Sequence, residues 1–149
     1  MITIVGLLGD DVHVRGYALE TVVAEKGVTI LERGSTSTRW RDYVDLVTIA
    51  RRQSFTYDTL PTACQAVATA RAIDLSPVRG PLSEYDDVGQ SKWRAWRRKS
   101  GLESVSEEQL KDQLEHVALF LDPVFGQGDA ERPFHWDPQN YRWNYAQHS

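Results

Sequence analysis

The sequence predicts an α+β fold that is mainly α, with a short N-terminal β-hairpin, about five helices and an irregular aromatic tail. Three observations support this prediction. A β-branched apolar run near the N-terminus is followed by turn residues. Five later segments place apolar residues at helical spacing between Gly, Pro and Ser/Thr boundaries. Residues 126–149 are polar and aromatic and show no period. At 149 residues the chain fits one domain, because domains commonly hold ~100–200 residues.

The hairpin is predicted from two strands, over residues 2–8 and 12–16. They flank Gly9, Asp10 and Asp11, and β-branched residues on both sides of a Gly/Asp turn are typical of paired antiparallel strands. An isolated hairpin is only marginally stable in water. We therefore expect this hairpin to pack on a further sheet or helix.

The first two helices are predicted over 18–33 and 39–52. In the first, apolar residues recur at i, i+3, i+4, i+11 and i+12 from Leu19. Gly34 follows where a glycine commonly ends a helix. The second helix has apolar residues nearly all round, so it is predicted to be central and mostly buried.

Two more helices are predicted over 58–71 and 82–99. Asp58 opens the earlier of the two, with Pro61 in its first turn, where proline is well tolerated. The stretch AIDLSPVRGP between them is interrupted by proline and glycine, which predicts a connection.

The fifth helix is predicted over 106–121. A capping box that begins at Ser106 or at Ser104 predicts its start, and Pro123 predicts its end. Its apolar stripe is regular, which predicts one face packed on the core.

Composition excludes several classes of protein. Hydrophobic residues make up 41% and charged residues 26% of the chain, which is unlike a disordered protein. No apolar run reaches the ~18 residues of a membrane span, and the N-terminus lacks the features of a signal peptide. One cysteine excludes an internal disulfide framework. We expect a cytoplasmic protein without membrane association, whose net charge of −4 argues against coating nucleic acid through bulk charge.

Lys26 is the unusual residue of the first helix, because it lies on the apolar stripe between Leu19 and Ile30. A lysine there must extend to solvent, find an acidic partner or bind an anion. Asp42 and Asp45 lie about 60° apart on the next helix, and such a pair can hold a divalent ion or neutralise basic groups. We expect Lys26 and both aspartates to converge. The alternative role is purely structural, in which they only satisfy one another.

The segment SKWRAWRRKSG places Trp93 and Trp96 one turn apart among five basic residues. One interpretation is an aromatic and cationic surface for a nucleic acid backbone. The other is an amphipathic helix with buried tryptophans and a solvated basic face. We expect both tryptophans to face the last helix, while Arg94, Arg97 and Arg98 project outward.

The remaining metal-binding residue types give weak signals. The four histidines share no metal-ligand spacing, so no metal site is expected on them. Cys64 lies on an apolar helix face without a nearby histidine, which predicts a small buried hydrophobe.

The stretch 17–50 carries two motifs in a fixed order. An E-x-x-x-AEK helix comes first, and an R-x-[RK]-D-x-x-D-L helix follows after a linker. The matching residues are Glu20, Ala24, Glu25, Lys26, Arg39, Arg41, Asp42, Asp45 and Leu46. This double motif resembles the AbiEii/AbiGii-type nucleotidyltransferase toxin family of type IV toxin–antitoxin systems and the related tRNA-modifying toxins. The resemblance continues more loosely through KWRAWRRK, FLDPVF and the tail, and so covers most of the chain.

The resemblance implies a nucleotidyltransferase α/β domain followed by helices, with the hairpin as a remnant of its sheet. It implies transfer of a nucleotide from an NTP to an acceptor such as tRNA. Lys26 is then expected near the triphosphate, and Asp42 or Asp45 orders the site or acts as a base. The expected substrate-binding residues are Glu20, Arg39, Arg41, Arg94 and Arg97.

Cofactors and partners are implied by the same resemblance. They are Mg²⁺ and an NTP, with tRNA, a cognate antitoxin or a separate N-terminal half as partners. The family's Gly-Ser motif and paired metal aspartates belong well upstream of residue 17, and only sixteen residues precede it here. We therefore find no metal ligands and expect little transfer by this chain alone.

The resemblance implies that residues 1–125 are the C-terminal part of a nucleotidyltransferase-like domain, and we expect a tail over 126–149. Two other functions stay open on the sequence. One is a non-catalytic helical module that binds RNA or protein, and the other is an antitoxin-like partner.

Overall fold

The computed structural model describes residues 2–8, 10–14, 19–33, 40–82, 85–126 and 133–145. Within these ranges the elements are β1 (Ile2–Leu8), β2 (Asp10–Val14), α1 (Leu19–Arg33), α2 (Trp40–Arg52), β3 (Phe55–Thr56), α3 (Thr59–Ala70), α4 (Arg79–Leu82), α5 (Tyr85–Ser100), α6 (Leu110–Phe125), β4 (Pro133–Asp137) and β5 (Arg142–Tyr145). The predicted α+β class, mainly α, is confirmed. None of these helices is both long and apolar enough to cross a membrane.

The N-terminal hairpin is present, with β1 antiparallel to β2. Its second strand begins at Asp10, two residues earlier than predicted, because Asp10 already pairs with Leu8. The register shifts between Ile4 and Leu8, as it does at a β-bulge. Arg15 and Gly16, the predicted end of the second strand, lie outside the described residues.

The first three predicted helices are confirmed with ends shifted by about one residue, which is the usual uncertainty of a helix boundary. α1 packs against α3, and α2 packs against α6. A methyl group on Gly27 of α1 would lie 2.7 Å from the ring tip of Phe125 on α6. The absence of a side chain at Gly27 therefore allows α1 to pack closely against α6.

The fourth predicted helix is divided in two. In place of one helix over 82–99, the chain forms the four-residue α4 and then α5. Pro81, which was expected in the preceding connection, lies within α4, since a proline is tolerated where a helical N–H has no intrahelical partner. A side chain of α6 holds this turn, because Oδ1 of Asp122 accepts the N–H of Val78 at 2.7 Å.

The last helix runs four residues later than predicted at both ends. The predicted capping box at Ser106 is wrong, because that hydroxyl donates to the carbonyl of Leu102 at 2.6 Å and lies before α6. Pro123 lies inside the final turn instead of ending the helix. The turn is still closed, because the N–H of Gly126 donates to the carbonyl of Asp122 at 2.6 Å.

The prediction of an irregular tail is wrong over residues 133–145. β4 and β5 form an antiparallel pair, and β3 adds a third strand beside β4. Indole N–H groups tie this sheet to the core: Trp136 donates to the carbonyl of Ala50 at 2.7 Å, and Trp143 donates to that of Phe120 at 2.8 Å. The two buried rings give these short strands the packing that a hairpin needs for stability.

Candidate functional site

Lys26 of α1 contacts both aspartates of α2. Its Nζ donates to Oδ1 of Asp42 at 3.0 Å and to Oδ2 of Asp45 at 2.9 Å. The i, i+3 spacing places the two carboxylates on one side of α2, so one ammonium reaches both. The predicted convergence of these three residues is confirmed.

Burial sets the electrostatics of this cluster. The side chains of Asp42 and Asp45 are only 5% and 3% exposed, and that of Lys26 is 17% exposed. Buried carboxylates are stable as charges only when they are paired and hydrogen-bonded, and Lys26 serves both. An ammonium has three donors, of which these two bonds use two.

Arg41 adds a second cation at the surface side of the cluster. Its Nε donates to Oδ1 of Asp45 at 3.1 Å, one helical turn away, and its side chain is 41% exposed. Both oxygens of Asp45 therefore accept N–H groups, one from Lys26 and one from Arg41. Two cations are held in place by two buried anions, and an arrangement of this kind can present N–H donors to an anionic ligand without rearranging.

A cluster of three tryptophans supports the start of α2, two residues before Asp42. Trp40 meets the rings of Trp93 and Trp96 edge-on at 5.9 Å each, and those two rings are stacked at 5.5 Å. Trp93 is fully buried and its indole N–H donates to the carbonyl of Glu107 at 3.0 Å, so its inward orientation is confirmed. Trp96 is only partly buried against the core, so the same prediction is confirmed for it only in part. Their contact with Trp40 was not predicted.

Gln113 of α6 is a second support that the sequence analysis missed. It is fully buried, and its Nε2 donates to the carbonyl of Tyr43, which lies between the two aspartates in sequence. Its Oε1 accepts the N–H of Glu107 at 2.8 Å. The signal was available, because Gln113 lies on the same stripe as Leu110 and Val117, as Lys26 does on its own helix.

The other predicted site residues are more scattered. Oε2 of Glu20 accepts the hydroxyl of Thr59 at 2.8 Å, which joins α1 to α3. Arg94 is exposed on α5. Arg39 lies outside the described residues.

Arg97 differs from its prediction. It is buried, and its Nε donates to the hydroxyl of Ser106 at 2.8 Å. A terminal nitrogen donates to the carbonyl of Glu103 at 2.9 Å and to that of Ser106 at 3.2 Å. The expectation that Arg97 projects outward is wrong, because the chain after α5 folds back and supplies acceptors for the guanidinium.

Cys64 is buried, as predicted. Burial raises the pKa of its thiol to about 12, which leaves it protonated and unreactive at neutral pH. Among the residues that the structure describes, no three His, Cys, Asp or Glu side chains are arranged to hold a metal ion.

Comparison with known proteins identifies one family. The family model described as "Nucleotidyl transferase AbiEii toxin, Type IV TA system" matches residues 1–122. No curated protein matches the chain, and no solved structure does. The matched range includes Lys26, Asp42, Asp45 and the helices that position them.

Proposed function

The chain belongs to the AbiEii family of nucleotidyl transferase toxins of type IV toxin–antitoxin systems, and from this membership we propose that it takes part in transferring a nucleotide from an NTP to an RNA acceptor such as tRNA. A cognate antitoxin is the protein partner that such a system implies. The cytoplasm is the proposed compartment, since both substrates occur there.

The observation that carries the proposal is the fixed ammonium of Lys26. Its two bonds to buried carboxylates leave its third donor for a phosphate oxygen. Arg41 lies beside it with much of its side chain exposed, and a guanidinium suits phosphate well. We assign both residues to the triphosphate, with Glu20 and Arg39 as further proposed substrate contacts.

The two aspartates receive different roles in this proposal. Transfer requires an acceptor hydroxyl to attack the α-phosphorus, lose its proton and displace pyrophosphate, and such reactions depend mainly on positioning and charge neutralisation. Asp45 accepts N–H groups on both oxygens, so it orders Lys26 and Arg41. We propose Asp42, a buried carboxylate in contact with the ammonium of Lys26, as the base that takes the hydroxyl proton.

Mg²⁺, which the family chemistry implies, does not fit these residues. A divalent ion bound to Asp42 and Asp45 together would come close to the Lys26 ammonium that now lies between them at 3.0 and 2.9 Å. Like charges at that range repel strongly where water is scarce. We therefore assign no metal to this cluster and no step to a metal here.

Nucleotide binding tests the proposal directly. The triple variant Lys26→Met/Asp42→Asn/Asp45→Asn removes the cluster without leaving a buried carboxylate unpaired. Because it also makes the site less negative, weaker binding cannot arise from added repulsion. We expect the affinity for fluorescent NTPs, each tested in turn, to fall at least about tenfold, or about 1.4 kcal/mol.

The control for loss of a lysine elsewhere is Lys111→Met, which removes an exposed lysine of α6. It should bind NTPs as the unmodified chain does. If the triple variant binds as tightly as this control, the phosphate role of Lys26 is wrong.

A further inference from the structure

The outward face of α5 carries four exposed cations, namely Lys92, Arg94, Arg98 and Lys99. Within the part of the chain that the structure describes, none of the four forms an ion pair. A face this basic stands out on a chain with a net charge of −4. Its charge is available to a polyanion.

The four cations form two rows along the helix. Arg94 and Arg98 are one turn apart, and Lys92 and Lys99 are about two turns apart, about 130° further round the axis. Ala95 is exposed between the rows, and its small side chain allows a backbone to approach the helix there. Two cationic rows on either side of this small residue suit a negatively charged strand that runs along the helix.

An aromatic ring borders the lysine row. Trp96 is only partly buried and lies one turn from both Lys92 and Lys99. Two other aromatic side chains fix the position of the Trp96 ring, which is stacked on Trp93 and meets Trp40 edge-on. A rigid, partly exposed indole beside cations offers a stacking surface for an unpaired base, which an acidic protein partner would not require.

We propose that the outward face of α5 binds a single-stranded segment of RNA, with the cations on phosphates and Trp96 against a base. The choice of RNA over other nucleic acid rests on the proposed function. The position of this face on the protein agrees with the proposed function, because Trp40 contacts both tryptophans of α5 and lies at the start of α2, two residues before Asp42.

Salt dependence of binding provides the test. The full chain is titrated with a fluorescent, unstructured oligoribonucleotide between about 50 and 200 mM salt, without NTP. Each lost phosphate contact lowers the log–log slope by about 0.7 for a single strand. We expect Arg94→Ala/Arg98→Ala and Lys92→Ala/Lys99→Ala each to lower it by about 1.4.

A charge-matched control separates the face from bulk charge. Arg52→Ala/Lys111→Ala removes two exposed cations elsewhere that likewise form no ion pair with described residues and should leave the slope unchanged. The conservative pair Arg94→Lys/Arg98→Lys should keep it too. Trp96→Leu should weaken binding at least about fivefold, and Trp96→Phe should weaken it less, with circular dichroism verifying the fold of each.

The outcomes decide between partners. Equal slopes in the unmodified chain and both α5 variants would overturn the proposal, as would no RNA binding at low salt. Displacement of the RNA by polyglutamate at similar affinity would assign the face to an acidic protein instead. Because no NTP is present, a failure of nucleotide binding at Lys26 leaves this result unaffected.

Discussion

The ammonium of Lys26 lies 2.9 Å from Oδ2 of Asp45, although the two residues are 19 positions apart in sequence. The contact joins α1 to α2 at a point where the carboxylate is only 3% exposed. A buried ion pair is often nearly neutral when replaced as a whole, but removing one partner leaves an uncompensated charge. The stability of this region should therefore depend strongly on which member is changed.

Lys26→Met should be severely destabilising. It leaves Asp42 and Asp45 buried without their shared cation, and breaking a buried pair in this way costs about 3–5 kcal/mol. The triple variant with both aspartates changed to asparagine should recover most of that loss. Urea unfolding measures both, and a cost below about 1 kcal/mol for Lys26→Met would show that solvent already compensates the carboxylates.

Gly27→Ala should also destabilise the protein, although alanine favours helices. The new methyl group would lie 2.7 Å from the ring tip of Phe125 and 3.2 Å from Leu121, and overpacking of a core costs about 1–3 kcal/mol. Helix propensity returns at most about 1 kcal/mol. We expect a net loss of about 1–2 kcal/mol in thermal or urea unfolding.

A double-mutant cycle with Phe125→Leu isolates the cause. The shorter side chain makes room for the methyl group, so the two changes together should cost less than their sum. An additive result, or a Gly27→Ala variant that is more stable than the unmodified protein, would show that the contact with Phe125 does not limit the size of residue 27.

The site could be predicted because its signal is local. Lys26 interrupts an apolar stripe, and a buried lysine requires an anionic partner. The next helix offers two carboxylates on one side, after a short link. No element far away in sequence was needed to bring these three residues together.

The tail and Arg97 could not be predicted in this way, because their partners are distant or irregular. Trp136 hydrogen-bonds a carbonyl 86 positions away, and only that packing makes residues 133–137 a strand. The guanidinium of Arg97 is satisfied by a turn with no period of its own. An arginine on a helix can be buried when its guanidinium donates to backbone carbonyls, and helical spacing alone does not reveal those carbonyls.

Trp136→Phe tests how firmly the C-terminal sheet belongs to the core. The change leaves a gap at a fully buried position and removes the donor to the Ala50 carbonyl. Lost volume and an unsatisfied buried acceptor together should cost about 2–4 kcal/mol. Urea unfolding gives the value, and a cost under about 0.5 kcal/mol would mean that the sheet is only loosely attached.

Nucleotidyl transfer by this chain alone should be weak. The cluster at Lys26 offers N–H donors to the proposed triphosphate, but two carboxylates balance its two cations, and those carboxylates do not fit a metal that would clamp the attacking and leaving oxygens. Incubation with labelled NTPs, Mg²⁺ and tRNA measures the reaction. Strong labelling that is lost in the triple variant at Lys26 would show that this chain is sufficient and would contradict our conclusion that the cluster holds no metal.

Asp122 should make stability depend on pH in the direction opposite to that of a paired surface carboxylate. Burial raises the pKa of its carboxyl group above 3.8, more than the bonds from Val78 and the charge of Arg79 lower it. The folded state therefore binds this proton more tightly than the unfolded state, and its contribution to stability is lost as pH rises from about 4 through the raised pKa.

Asp122→Asn does not titrate and still offers an oxygen to the Val78 N–H. We expect its stability relative to the unmodified protein to increase over that pH range and then level off, as followed by urea unfolding. Asp122→Ala lacks the oxygen, so it should be less stable than Asp122→Asn by about 1–3 kcal/mol at every pH. If the stability of Asp122→Asn relative to the unmodified protein instead falls as pH rises, pairing with Arg79 outweighs burial.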